Sequence, residues 1–182
     1  MLSDLDAVED TVTLAAFQTI DFEGLETVPL VLEPLLFYFL HRASATLLDP
    51  AQADRLKVFV IDEAWRFLRD PTIRAYVTEA LKTWRKKNAC VLLATQSSED
   101  LTRSELLRVA VESCPTRLFL ANPHIDQESY QTLFHLNATA AARIATLLPR
   151  QQVLLTQPHV TKVLNLHVDP KSAALFSAAR RA

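Results

Sequence analysis

Residues 57–63 read Lys-Val-Phe-Val-Ile-Asp-Glu, a β-branched and almost wholly apolar run that stops at two acids. A run of this kind predicts a strand buried on both faces, as in a parallel sheet. Further on, Cys90–Ala94 (CVLLA) predicts a second buried strand, again ending in polar residues, Thr95-Gln96-Ser97-Ser98. Between the two, Asp70-Pro71 reads as N-cap and first residue of a helix reaching about Lys87, with Ile73, Val77, Leu81 and Trp84 on one stripe. A helix over about 99–112 and a third strand over 117–121 (RLFLA) complete a βαβαβ order and an α/β fold.

Upstream, residues 1–10 are acidic and aperiodic and predict a mobile segment, while 11–20 predict a strand. Asp21–Gly24 predicts a turn, with Gly24 supplying a positive φ. Thr27 is placed to cap a helix reaching about Leu48, with Pro29 in its first turn and a kink expected at Pro34. Downstream, helices are predicted at 127–134 and 138–148, a hairpin at 152–156 and 162–167, and a short tail helix over 170–181.

Composition narrows the chemistry. The chain has 182 residues, 49% of them hydrophobic, and a net charge of -2, so no global basic field exists to hold nucleic acid. Its single glycine, Gly24, excludes any multi-glycine phosphate loop within these residues, because such loops bring backbone N–H groups against phosphate where no side chain fits. Two cysteines and no signal-peptide pattern point to a reducing compartment. Cys90 and Cys114 read as inert thiols, the five histidines lack zinc spacing, and Trp65 and Trp84 read as packing residues.

In an open α/β sheet, ligands lie beyond the carboxyl ends of the strands, so polar residues just after apolar strands share one crevice. A strand ending at Asp62 can hold that carboxylate toward a Mg²⁺ shell, while Glu63 leans toward a water it could activate as a base. Gln96, at the end of the second strand, offers an amide suited to orienting that water or sensing a γ-phosphate. Acids after a strand also cap helices or stay solvated, and it is the joint occurrence of the two sets that points to a site. The basic run Lys82–Lys87 reads mainly as helix C-terminal charge.

The segments VFVIDEAW (58–65), LKTWRKKN (81–88), VLLATQSSEDL (91–101) and ESCPTRLFLANP (112–123), with YFLHR at 38–42, resemble in order and spacing the carboxyl-terminal part of the conjugative-transfer ATPases of type IV secretion systems, the TrbE/CagE-like family. The resemblance runs from about Phe17 to about Leu175. It implies a partial RecA-like P-loop NTPase core over 11–169, with a helical and hairpin extension and a tail at 170–182. It also implies ATP and Mg²⁺ as cofactors, with Asp62 as the Walker B metal-holding aspartate, Glu63 as the glutamate activating water, Gln96 as the sensor glutamine and Arg85 as an arginine presented to an adjacent subunit's nucleotide. The implied partners are further copies of the chain, other type IV secretion components at the cytoplasmic face of the bacterial inner membrane, and an amino-terminal ATPase half carrying Walker A; nucleic acid is touched at most indirectly. Because family members carry the phosphate loop upstream of Phe17, the chain reads as a fragment with negligible ATPase activity alone. The alternatives are an inactive remnant that only binds partners and, more weakly, a metal-dependent nuclease using Asp62 and Glu63.

Overall fold

A computed structural model describes residues 16–25, 28–63, 70–96 and 105–178. The described residues of 1–64 and 82–94 form one compact unit and those of 65–81 and 95–182 another.

In the first unit, Gly24 takes a φ of 84° in the predicted turn, closed by the Leu25 N–H donating to the Phe22 carbonyl at 3.1 Å. The Phe22 ring meets Phe39 edge-on at 5.9 Å, tying the turn to helix α1, Pro29–Leu47. The N-cap of α1 is Val28 with no side-chain cap; Thr27, the expected cap, lies outside the described residues. Pro29 opens the helix where its missing N–H is no loss, and the helix continues through Pro34. Residues 16–20 are bend and coil rather than strand, and the rest of that predicted strand lies outside the described residues.

Strands β1 (Lys57–Ile61) and β2 (Ala89–Leu93) pair in parallel, Lys57 opposite Ala89 and Ile61 opposite Leu93. The expectation of burial on both faces is corrected. Val58, Val60 and Leu92 are about half exposed and Cys90, on the same face, is exposed, whereas Ile61 is buried and Phe59 partly so. The physical reason is that the described residues cover one face alone, where the Trp84 ring packs edge-on against Phe59 at 5.6 Å. Helix α2 (Pro71–Thr83), which belongs to the second unit up to Leu81, has the predicted N-cap, the Asp70 carboxylate accepting the N–H groups of Thr72 and Ile73 at 2.8 and 2.9 Å. Its stripe of Ile73, Val77 and Ala80 is buried, and a 3₁₀ turn, Trp84–Lys87, finishes it with Trp84 buried.

In the second unit, α3 (Glu105–Ser113) leads to β3 (Arg117–Leu120), followed by α4 (Gln127–Phe134), α5 (Ala138–Thr146), β4 (Gln152–Gln157), β5 (Val160–Asn165) and α6 (Pro170–Ala178). The third strand departs from the βαβαβ expectation: β3 pairs antiparallel with β4, and β4 with β5, in a separate sheet. A four-residue apolar run carries no sign of its partner's direction, and the predicted hairpin β4–β5 supplies the nearer partner. Phe119, Ala140, Ile144, Leu147 and Leu154 form the core, with Tyr130 and Phe134 packed on it; the Phe119 and Phe134 rings meet edge-on at 5.2 Å. Among the described residues no helix is long and apolar enough to cross a membrane.

Ile144 is 1% exposed, so Ile144→Ala is expected to lower unfolding free energy by about 2–5 kcal/mol in chemical denaturation. The Ser129 hydroxyl and backbone N–H, with the Glu128 N–H, hold the Asp126 carboxyl below its ordinary 3.8. A depressed carboxyl pKa stabilises the fold above the unfolded value and loses that contribution as pH falls through the folded value. Melting temperature should therefore drop below about pH 4, and less steeply in Asp126→Asn, which keeps a capping oxygen at acid pH.

Candidate functional site

The parallel register sets the carboxyl ends of β1 and β2 abreast, and the Ala94 N–H extends the ladder by donating to the Ile61 carbonyl at 2.9 Å. Asp62 follows directly and is exposed; Glu63, partly buried, comes next. One Asp62 carboxylate oxygen accepts the Glu63 N–H at 2.9 Å. This bond accompanies a sharp reversal, because Glu63 adopts a φ of 48°, a left-handed conformation rare for a side chain with Cβ. Strained backbone of this kind persists where surrounding structure imposes it and is concentrated at functional sites.

Gln96 stands exposed in a bend, two residues beyond Ala94. Ser97 and Ser98, expected to cap the next helix, and Trp65 lie outside the described residues. Arg85 occupies the 3₁₀ turn that closes on the other end of the strand pair, where the Asn88 carbonyl accepts the Lys57 N–H at 3.0 Å. The first unit thus holds Asp62 with Glu63 at the carboxyl end of the strands and the backbone of Arg85 at the amino end, about 13 Å away along the strands at the usual rise per residue. Arg85 is exposed, and the buried Trp84 beside it anchors its turn to Phe59. Among the described residues no three His, Cys, Asp or Glu side chains gather into a metal-binding group.

Sequence reading missed the left-handed turn at Glu63, for which the abrupt change from β-branched residues to two acids is the available signal. It also missed a polar cluster on the antiparallel sheet, where Arg117 lies opposite Thr156; a charged residue opening an otherwise apolar strand was its trace.

No family model matches the chain. A probable conjugal transfer protein TrbE of Sinorhizobium fredii is 33% identical over 178 residues, 96% of this chain. The chain spans about a quarter (26%) of that relative's length. Among solved structures, VirB4 of Thermoanaerobacter pseudethanolicus matches with a TM-score of 0.65 at 19% identity, over 85% of this chain and 42% of its own. The plasmid coupling protein TrwB, solved with a non-hydrolysable GTP analogue, matches with a TM-score of 0.57 at 17% identity, over 79% of this chain and 39% of its own. These likenesses show the fold: α/β, a partial RecA-like core with helical and hairpin elements toward the carboxyl end.

The left-handed φ predicts the response of position 63. Glu63→Gly should leave unfolding free energy within about 0.5 kcal/mol of the parent, the relief of strain offsetting the glycine's greater unfolded freedom. Glu63→Val should lower it by about 1–3 kcal/mol, because a β-branched side chain tolerates that backbone least. Urea titration of both variants measures this.

Proposed function

As the chain belongs to the TrbE/CagE-like family of conjugative-transfer and type IV secretion ATPases, we propose that it contributes the hydrolytic groups of a P-loop motor ATPase. The observation that carries this reading is the pairing of Asp62 and Glu63 at the carboxyl end of two parallel strands, where α/β folds bind ligands.

Asp62 would hold Mg²⁺ through its carboxylate, which suits a cation that keeps several waters and takes one or two carboxylates plus phosphate oxygens. When bound, Mg²⁺ neutralises charge on the β- and γ-phosphates. Glu63 accepts the proton of the attacking water, its carboxylate aimed by the left-handed turn. The Gln96 amide orients that water and contacts the γ-phosphate. Arg85 serves a neighbouring copy: the strand pair carries it away from Asp62, so its guanidinium meets charge on the transferring γ-phosphoryl of an adjacent subunit. An arginine supplied in trans contributes on the order of 10³–10⁵ in rate.

The phosphate grip comes from a segment outside these 182 residues, which hold one glycine. In this reading ATP and Mg²⁺ are the cofactors, copies of the chain form an oligomer, and the assembly works with other secretion components at the cytoplasmic face of the inner membrane. It energises pilus assembly and transfer, and DNA meets it at most indirectly.

Purified alone, the chain is expected to show negligible Mg²⁺-dependent ATP turnover. Supplied with the amino-terminal ATPase segment of a TrbE relative, it should hydrolyse ATP, and Glu63→Gln should then lower kcat at least about a hundredfold. An unchanged rate in Glu63→Gln would remove Glu63 from the mechanism. Failure of the added segment to restore turnover would favour a chain that only binds partners.

A further inference from the structure

Helix α1 has two apolar sides and, among the described residues, cover on one. Leu36, Leu40 and Leu47 are buried and share a stripe. About 100° round the helix, Leu30, Pro34, Phe37, His41, Ser44 and Leu48 recur at spacings of four and three, the seam of a helix that packs against another helix. On that seam Leu30 is 90% exposed and Phe37 48%. Glu33 and Arg42 are the only residues in the nineteen of α1 that carry a full charge when histidine is neutral. A surface helix ordinarily turns a polar side to water, and one that is apolar all round is ordinarily covered all round.

The polar residues at the seam indicate what fits it. Glu33 and His41 are both exposed and stand four residues to either side of Phe37. Within one helix they are about 12 Å apart, too far to meet. In a second α1 laid antiparallel along the seam, with a two-fold axis at Phe37, residues equally far before and after Phe37 face each other. Phe37 then meets its own counterpart, Leu30 meets the smaller Ser44, and each Glu33 carboxylate meets the His41 imidazole of the second copy. A carboxylate accepts a hydrogen bond from an imidazole N–H whether the ring is neutral or protonated. Parallel alignment would instead set Glu33 against Glu33, a like-charge contact that costs affinity.

We propose that this side of α1 is an interface between two copies of the chain, antiparallel and centred on Phe37, with its register fixed by two reciprocal Glu33–His41 contacts. Such a contact uses the same patch on both copies. It is separate from the head-to-tail contact proposed for Arg85 and does not rest on the ATPase reading. The exposed sheet residues Val58, Val60 and Leu92 are apolar as well, but they carry no charge that would select a partner or a register. Four turns of one helix bury less than the about 800 Å² per partner of a standard interface, so the expected dissociation constant is about 10–100 μM.

Sedimentation velocity of the 182-residue chain, loaded at about 1 to about 500 μM, reads this association. A monomer–dimer equilibrium is expected. Leu30→Glu alters a side chain that the fold leaves in solvent and should weaken the dimer about tenfold or more. His41→Glu sets a carboxylate against Glu33 of the second copy and should weaken it by a similar factor, and adding Glu33→His should restore it to within about threefold. Circular dichroism of all three variants should match the parent. A chain monomeric throughout would overturn the proposal and give the seam to another occupant, a segment outside these residues or a lipid surface. A dimer that Leu30→Glu or His41→Glu leaves unchanged would also overturn it, as would a loss in His41→Glu that Glu33→His does not restore.

Discussion

The in-register parallel pairing of β1 with β2 is the constraint from which the candidate site follows. Because Ile61 stands opposite Leu93 and the Ala94 N–H continues the ladder to the Ile61 carbonyl, both strands end at one level. The two acids leave β1 there, and the bond from the Glu63 N–H to Asp62 accompanies the left-handed turn at Glu63. At the other end, Trp84 against Phe59 keeps the basic turn against the strands. One hydrogen-bonded ladder therefore sets the two acids at one end and the turn that carries Arg85 at the other. That separation is what the proposed role of Arg85 toward an adjacent copy rests on.

Much of this was legible in residue order. The runs at 57–61 and 90–94 announced both strands, and Asp70-Pro71 announced the start of α2. Burial was not legible. An apolar run reports what a strand can bury, not what is present to bury it, and Val58, Val60 and Leu92 remain exposed because the described residues provide cover on one side alone. Parallel sheets are ordinarily covered on both faces.

The direction of β3 was equally hidden. Arg-Leu-Phe-Leu fits either a parallel or an antiparallel neighbour, and only the closure of the β4–β5 hairpin upon it decides between them. That closure places Arg117 across from Thr156, far apart in sequence, and so creates a polar cavity that no local spacing announces. The left-handed backbone at Glu63 has the same character: sequence supplies the two acids, and the strand end supplies the strain.

The claim that one copy's carboxylate end works with another copy's guanidinium end has a direct test. Glu63→Gln and Arg85→Ala chains, each inactive when supplied with the amino-terminal segment of a TrbE relative, are mixed before assembly and ATP turnover is measured. The account predicts turnover in the mixture well above either variant alone, because some interfaces then join an intact Glu63 to an intact Arg85. A mixture no more active than its components would contradict it.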